Sequence, residues 1–117
     1  MLSRFDLVTF DSPATESLAA FWSVALDLHE VEREDGDRWI VLADATGQRR
    51  IGVQAGVTRV GSVHLDLCCS TADFEAELAR IVALGAEQIG AARLETYGSI
   101  ANLLDHDGNP FDLCAYS

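Results

Sequence analysis

Apolar and polar positions along the chain change period several times, and each change marks an element. Residues 5–11 (FDLVTFD) form a short apolar run typical of a buried strand, with Leu7, Thr9 and Asp11 on one face and Asp6, Val8 and Phe10 on the other. Ser12-Pro13 then reads as a helix start, a hydroxyl N-cap followed by proline at the first helical position. Leu18, Phe21 or Trp22, and Ala25 recur at helical spacing, and the helix is expected to end near Asp27. Residues 30–34 alternate weakly, Asp35-Gly36-Asp37 signals a turn, and 39–43 (WIVLA) completes a hairpin. A second turn at Asp44-Ala45-Thr46-Gly47 leads to a fourth strand over 51–55.

The second half repeats this order. Residues 63–69 read as a strand, Ser70 or Thr71 as the cap of a helix carrying Phe74, Leu78, Ile81 and Val82 on one stripe, and Leu84-Gly85 as its close. A short strand over 86–89, a less regular stretch over 90–98, and strands over 100–104 and 111–116 follow, the last two joined by the turn 105–109. Val8-Thr9-Phe10-Asp11 lines up with Val63-His64-Leu65-Asp66, and Val41-Leu42-Ala43-Asp44 with its Gly47 lines up with Asn102-Leu103-Leu104-Asp105 and Gly108. The expectation is an α+β chain forming one domain over 1–117, built from two βαβββ modules (4–56 and 62–117) joined by a linker at 57–61.

Composition narrows the partners. With 117 residues, 49% hydrophobic and 23% charged, the chain has the make-up of a folded domain. A formal charge of -11 disfavours nucleic acid and anionic membrane surfaces. The longest apolar run, around 18–22, is too short for a membrane span, and the start lacks a signal-peptide pattern, so a cytoplasmic protein is expected. Three cysteines, two of them adjacent, form neither a disulfide framework nor a zinc signature, and reduced thiols are expected.

The chemistry concentrates in 61–70 (GSVHLDLCCS), where strand alternation puts His64, Asp66 and Cys68 on one face and Val63, Leu65 and Leu67 on the other. His64 suits a general base or a metal ligand, and Asp66 is placed to orient it or to hold a ligand hydroxyl. Asp112 and Cys114 share a face of the last strand. Trp39 and Tyr97 are candidates for lining a cavity, whereas Trp22 on the helix reads as core. Cys114 also fits as a packed small apolar residue. His29, His106 and the pair Arg49-Arg50 read as surface positions.

Together, Ser12-Pro13 through Phe21-Trp22, Val63-His64-Leu65-Asp66-Leu67 through Ala83-Leu84-Gly85-Ala86, and Leu104-Asp105-His106-Asp107-Gly108-Asn109-Pro110-Phe111-Asp112-Leu113 resemble the vicinal oxygen chelate superfamily, and within it the glyoxalase-like domains. This group includes glyoxalase I, extradiol dioxygenases, fosfomycin-modifying proteins and bleomycin-binding proteins. The resemblance implies curved mixed sheets that enclose a cavity. It also implies, in metal-dependent members, ligands on the first and last strand of each module around an octahedral divalent ion with open positions for two substrate oxygens. His64 and Asp112 match the second-module ligand positions. In the first module the matching positions fall on Leu7 or Thr9 and on Ile51, which are poor ligands, and Gln54 reaches the site face only if the 48–50 turn shifts the strand by one residue. The leading expectation is a homodimeric protein binding a small organic ligand through Thr9, Trp39, His64, Gln54, Asp66, Tyr97, Asp112 and Cys114, without a metal. The alternative is a lyase, isomerase or dioxygenase, using either one zinc, nickel, manganese or iron ion or His64 with Asp66 or Asp112 as acid and base.

Overall fold

The two half-chains fold alike in the computed structural model, which describes residues 5–58, 64–96 and 98–116. Strand β1 (Val8–Ser12), helix α1 (Thr15–Leu26) and strands β2 (His29–Glu34), β3 (Trp39–Ala43) and β4 (Arg49–Ala55) make the first set. Strand β5 (Leu65–Cys69), helix α2 (Phe74–Ala83) and strands β6 (Glu87–Glu95), β7 (Gly98–Leu104) and β8 (Pro110–Tyr116) make the second. They form two compact units, Met1–Arg59 and Val60–Ser117, each with one four-stranded mixed sheet, ordered β1-β4-β3-β2 and β5-β8-β7-β6. In both, the first strand pairs in parallel with the last and the other pairs are antiparallel.

In the first unit Ile40, Val41 and Ala43 are wholly buried, as are Leu18 and Trp22 of α1, so the helix lies on the sheet through a continuous apolar stripe. Phe10 stacks on Trp22 with ring centroids 5.9 Å apart, and Phe21 meets it edge-on at 5.0 Å, which confirms Trp22 as core. The helix starts later than expected. Ser12 stays in β1, paired with Ala55, and its Oγ accepts the Ala14 N–H at 3.0 Å, so it caps the bend before the helix. Thr15 opens α1, and its hydroxyl donates to the Asp37 carbonyl at 2.7 Å, tying helix to hairpin. At the other end Asp27 takes the left-handed conformation (φ 54°) that closes α1 where expected.

In the second unit the Ser70 Oγ accepts the Asp73 N–H at 3.2 Å, capping a single 3-10 turn (Thr71–Asp73) that feeds α2. Phe74 and Ile81 are buried, whereas Val82 is exposed. The larger departure is β6. Residues 90–98 were expected to be irregular, yet the strand runs to Glu95, with Ile89 opposite Asn102 and Arg93 opposite Ile100. Residues 90–92 therefore bulge against a single partner position, Ala101, and nearly all of the strand is exposed, so no alternation marked it.

Strand register corrects the internal repeat. The turns superpose: Asp44 N–H donates to the Gln48 carbonyl at 2.9 Å as Asp105 N–H donates to the Asn109 carbonyl at 3.0 Å. Beyond them Leu42 pairs with Ile51 but Ala43 with Arg49, so Arg50 is an extra residue in β4. Val8 pairs with Ile51 as Leu65 pairs with Phe111, which makes Val8 the counterpart of Leu65 rather than of Val63. The repeat thus shifts by two residues, which keeps every face but changes every partner. Leu7 corresponds to His64, Thr9 to Asp66, Gly52 to Asp112 and Gln54 to Cys114. Ile51, expected at the last-strand ligand position, is 2% exposed and belongs to the core, like its counterpart Phe111.

Candidate functional site

The parallel pair β5–β8 brings the second-unit candidates together. Asp66 lies opposite Asp112 and Cys68 opposite Cys114, with His64 just before β5 on the same face. The His64 Nε2 is 3.2 Å from Asp66 Oδ1 and 3.5 Å from Asp112 Oδ2. One nitrogen and two carboxylate oxygens lie within 4.8 Å of one another. His64, Asp66, Ile100, Asp112, Cys114 and Tyr116 line a pocket of about 360 Å³ there. Among the described residues its wall carries two carboxylates and no lysine or arginine, so it favours cationic, metallic or hydrogen-bond-donating partners.

The three donors differ in exposure. The side chains of His64 and Asp66 are 45% and 60% exposed, but Asp112 is only 19% exposed and is held from behind. Asn102 Nδ2 donates to Asp112 Oδ1 at 2.7 Å, and Arg93 Nη1 donates to Asn102 Oδ1 at 2.7 Å. That chain fixes the Asp112 carboxylate and leaves Oδ2 for the His64 side, as outer hydrogen bonds orient a ligating carboxylate. Deeper in the wall, burial pushes the Cys114 thiol above its ordinary range, and the hydrogen bond to Cys114 raises the Tyr116 hydroxyl.

The donor set fits a divalent ion. Metal–ligand bonds of about 2.1 Å place adjacent ligand atoms of an octahedron about 3 Å apart, close to the observed 3.2 and 3.5 Å. Imidazole with carboxylate oxygen suits manganese, iron, nickel or zinc. All three donors come from the second unit.

The first-unit candidates lie on one sheet. Thr9, Gly52, Gln54 and Trp39 share one face of their sheet, because Trp39 pairs with Gln54 and Thr9 with Gly52. Gly52 occupies the position of Asp112, but a Cβ built there falls 2.6 Å from Trp39 Cη2 and 3.0 Å from Thr9 Oγ1. The indole lies across the place where a ligand side chain would start. It is anchored by Trp39 Nε1 donating to Glu32 Oε2 at 2.7 Å, while Arg49 Nη1 donates to the other Glu32 oxygen at 2.9 Å. Those bonds, that from Trp39 foremost, hold the Glu32 carboxyl below its ordinary range. Trp39 and Gln54 also line a pocket of about 460 Å³ with Glu34, Asp35, Arg38 and Ala55. Arg49, expected in a solvated turn, is the half-buried bridge between Glu32 and Asp6.

His64, Asp66 and Asp112 are thus brought together with Cys114 beside them in the second unit, and Thr9, Trp39 and Gln54 share one face of the first unit's sheet. Tyr97 lies outside the described residues. Sequence reasoning missed Asn102 and Arg93. The available signal was a lone amide between Ile100 and Leu104 in an otherwise apolar strand.

Residues 7–114 match the family model described as "Glyoxalase-like domain". No curated protein matches the sequence. Among solved structures, a glyoxalase/bleomycin resistance protein/dioxygenase family enzyme from Burkholderia phytofirmans PsJN aligns over 98% of this chain and 100% of its own, with TM-score 0.81 and 18% identity. The fosfomycin resistance protein FosX from Mesorhizobium loti aligns over 100% and 94%, with TM-score 0.76 and 18% identity. FosX from Listeria monocytogenes, solved with Mn(II) and sulfate, aligns over 100% and 92%, with TM-score 0.77 and 18% identity. At such identities the likeness establishes the fold.

Proposed function

The chain belongs to the glyoxalase-like domain family of the vicinal oxygen chelate superfamily, and on that premise we propose that it binds a small oxygenated organic molecule in the β5–β8 pocket through His64, Asp66 and Asp112. The observation that carries this reading is the convergence of those three side chains on one open pocket, with Asp112 braced by Asn102. In the metal-free form His64 and the two carboxylates offer donor and acceptor atoms to ligand hydroxyl or carbonyl groups, while Ile100 and Cys114 supply the apolar wall.

The same three-donor cluster favours a second reading, a divalent ion held by His64 Nε2, Asp66 and Asp112 Oδ2. A bound ion would supply Lewis-acid polarisation of substrate oxygens, the chemistry of a lyase, isomerase or dioxygenase. The chain's own part in that case is to orient the ligands through Asn102 and Arg93, and to admit substrate over Ile100. Equilibrium dialysis against Mn²⁺ with metal analysis separates the two. Stoichiometric binding lost in both His64→Ala and Asp112→Ala supports the ion. Absence of binding, with ligand affinity still lost in the same variants, supports the metal-free pocket. Full retention of metal and ligand by both variants removes the site.

The proposal includes a cytoplasmic homodimer. Three free cysteines suit a reducing compartment, no described helix is long and apolar enough to cross a membrane, and the edge strand β6 exposes Ile89 and Leu94. Size-exclusion chromatography with light scattering tests the assembly.

A further inference from the structure

Cys114 lines the pocket, and beside it on β5 stands a second thiol, Cys68, whose chemistry the reading above does not use. Cys68 on β5 and Cys114 on β8 are Cα partners in a parallel ladder, on the same face, and neither is in a disulfide. Neighbouring strands lie about 4.8 Å apart, inside the range of about 4.4–6.8 Å between Cα atoms that a disulfide spans. The two thiols are unequally placed: Cys68 is exposed, whereas Cys114 is 4% exposed and hydrogen-bonded to the Tyr116 side chain. Cys69, next in sequence, points to the opposite face, where Asp73 and Glu77 are its charged neighbours.

We propose that Cys68 and Cys114 form a reversible dithiol–disulfide pair, with Cys68 as the entry thiol and Cys114 as the resolving one. The oxidant is a low-molecular-weight disulfide. The Cys68 thiolate attacks one sulfur of that disulfide, forming a mixed disulfide and releasing one small thiol. The Cys114 sulfur, having given up its proton to solvent, then attacks the Cys68 sulfur. The Cys68–Cys114 bond forms and the second small thiol leaves. One small disulfide is reduced to two thiols, and the protein loses two hydrogens. Exposure decides which cysteine meets the oxidant first, and strand register decides which one completes the exchange. The crosslink is placed two residues beyond Asp66 and Asp112, so it modifies the pocket wall whether or not the pocket takes a metal.

The test uses the whole chain with glutathione disulfide, followed by intact mass and peptide mapping. The expected product is protein lighter by two hydrogens, with peptides holding Cys68 and Cys114 linked and both restored by a reductant. Cys114→Ser is expected to stop at a glutathione adduct on Cys68, Cys68→Ser to form no intramolecular link, and Cys69→Ser to behave as the parent. A parent protein that keeps a glutathione adduct on Cys68, links either cysteine to Cys69, crosslinks between chains, or stays unmodified overturns the proposal. Circular dichroism of each variant before oxidation confirms that the comparison is between folded proteins.

Discussion

Replacing Gly52 by alanine adds one methyl group where Trp39 lies. The glycine has no positive φ, so its backbone accepts an L side chain, and elsewhere such a change would stabilise by about 0.4–1 kcal/mol through the unfolded chain. Here the new Cβ would sit 2.6 Å from Trp39 Cη2, closer than real side chains approach, and a tight 3.0 Å from Cζ3 and from Thr9 Oγ1. Relief requires the indole to rotate, and that strains its bond to Glu32. Overpacking of this kind costs about 1–3 kcal/mol, so the net expectation for Gly52→Ala is a loss of about 1–2 kcal/mol, with Tm lower by roughly 4 °C per kcal/mol for a chain of this size. Because the hardest clash is with Trp39, most of the loss should vanish in a Trp39→Leu background, which leaves only the 3.0 Å approach to Thr9. Urea unfolding followed by circular dichroism on the four proteins of that cycle measures the coupling. A single variant within 0.5 kcal/mol of the parent, or an equal loss in both backgrounds, would refute the placement of the indole over Gly52.

Three further outcomes are expected. On the metal-bound reading, Asn102→Ala removes the brace on Asp112 and should weaken Mn²⁺ binding about 10–100-fold with little change in thermal stability, measured by calorimetric titration; unchanged affinity would mean that Asp112 needs no brace. Asp44 has its carboxyl lowered to about 2 from the ordinary 3.8, foremost by the Thr46 hydroxyl; the folded form holds its proton less tightly than the unfolded one, so this stability is complete above pH 3.8 and lost as pH falls toward 2. Asp44→Asn should therefore flatten the acid limb of a denaturation-versus-pH curve, and an unaltered limb would contradict the assignment. Gly85→Ala combines φ +115° with a Cβ 2.7 Å from His106 Nε2, whose ring meets the Leu84 carbonyl at 3.2 Å; a loss of about 1–3 kcal/mol is expected in thermal unfolding, and a neutral result would show that the α2 end adopts another form.

Much of the fold was legible because burial imposes a period. The run 39–43 is β3, residue for residue, and the left-handed Asp27 ends α1 where the apolar stripe ends. The part of β6 beyond Ile89 was not legible, since a strand exposed on nearly every residue has no buried face to impose alternation. At the site, His64, Asp66 and Asp112 could be placed on common faces by counting in twos. Their first-unit counterparts could not, because the matching Val-x-x-Asp strings favour a register two residues away from the real one, in which Asp11 corresponds to Cys68, and only pairing to β4 and β8 reveals it. The one-residue slip that would carry Gln54 to the same face as Trp39 does occur, through the extra residue Arg50. Asn102 went unseen because its role depends on what lies across from it on β8.

The anchored indole also gives the protein a built-in optical reporter. The chain has two tryptophans, and Trp22 is sealed in the core, so its emission follows folding alone. Trp39 is half-buried on a polar face, with its N–H on a carboxylate and its ring beside Gln54, so its emission should respond to anything that settles on that face. With Trp22 replaced by phenylalanine, the remaining fluorophore would allow unlabelled compounds to be screened against the first unit directly, independently of any metal or catalytic readout at His64.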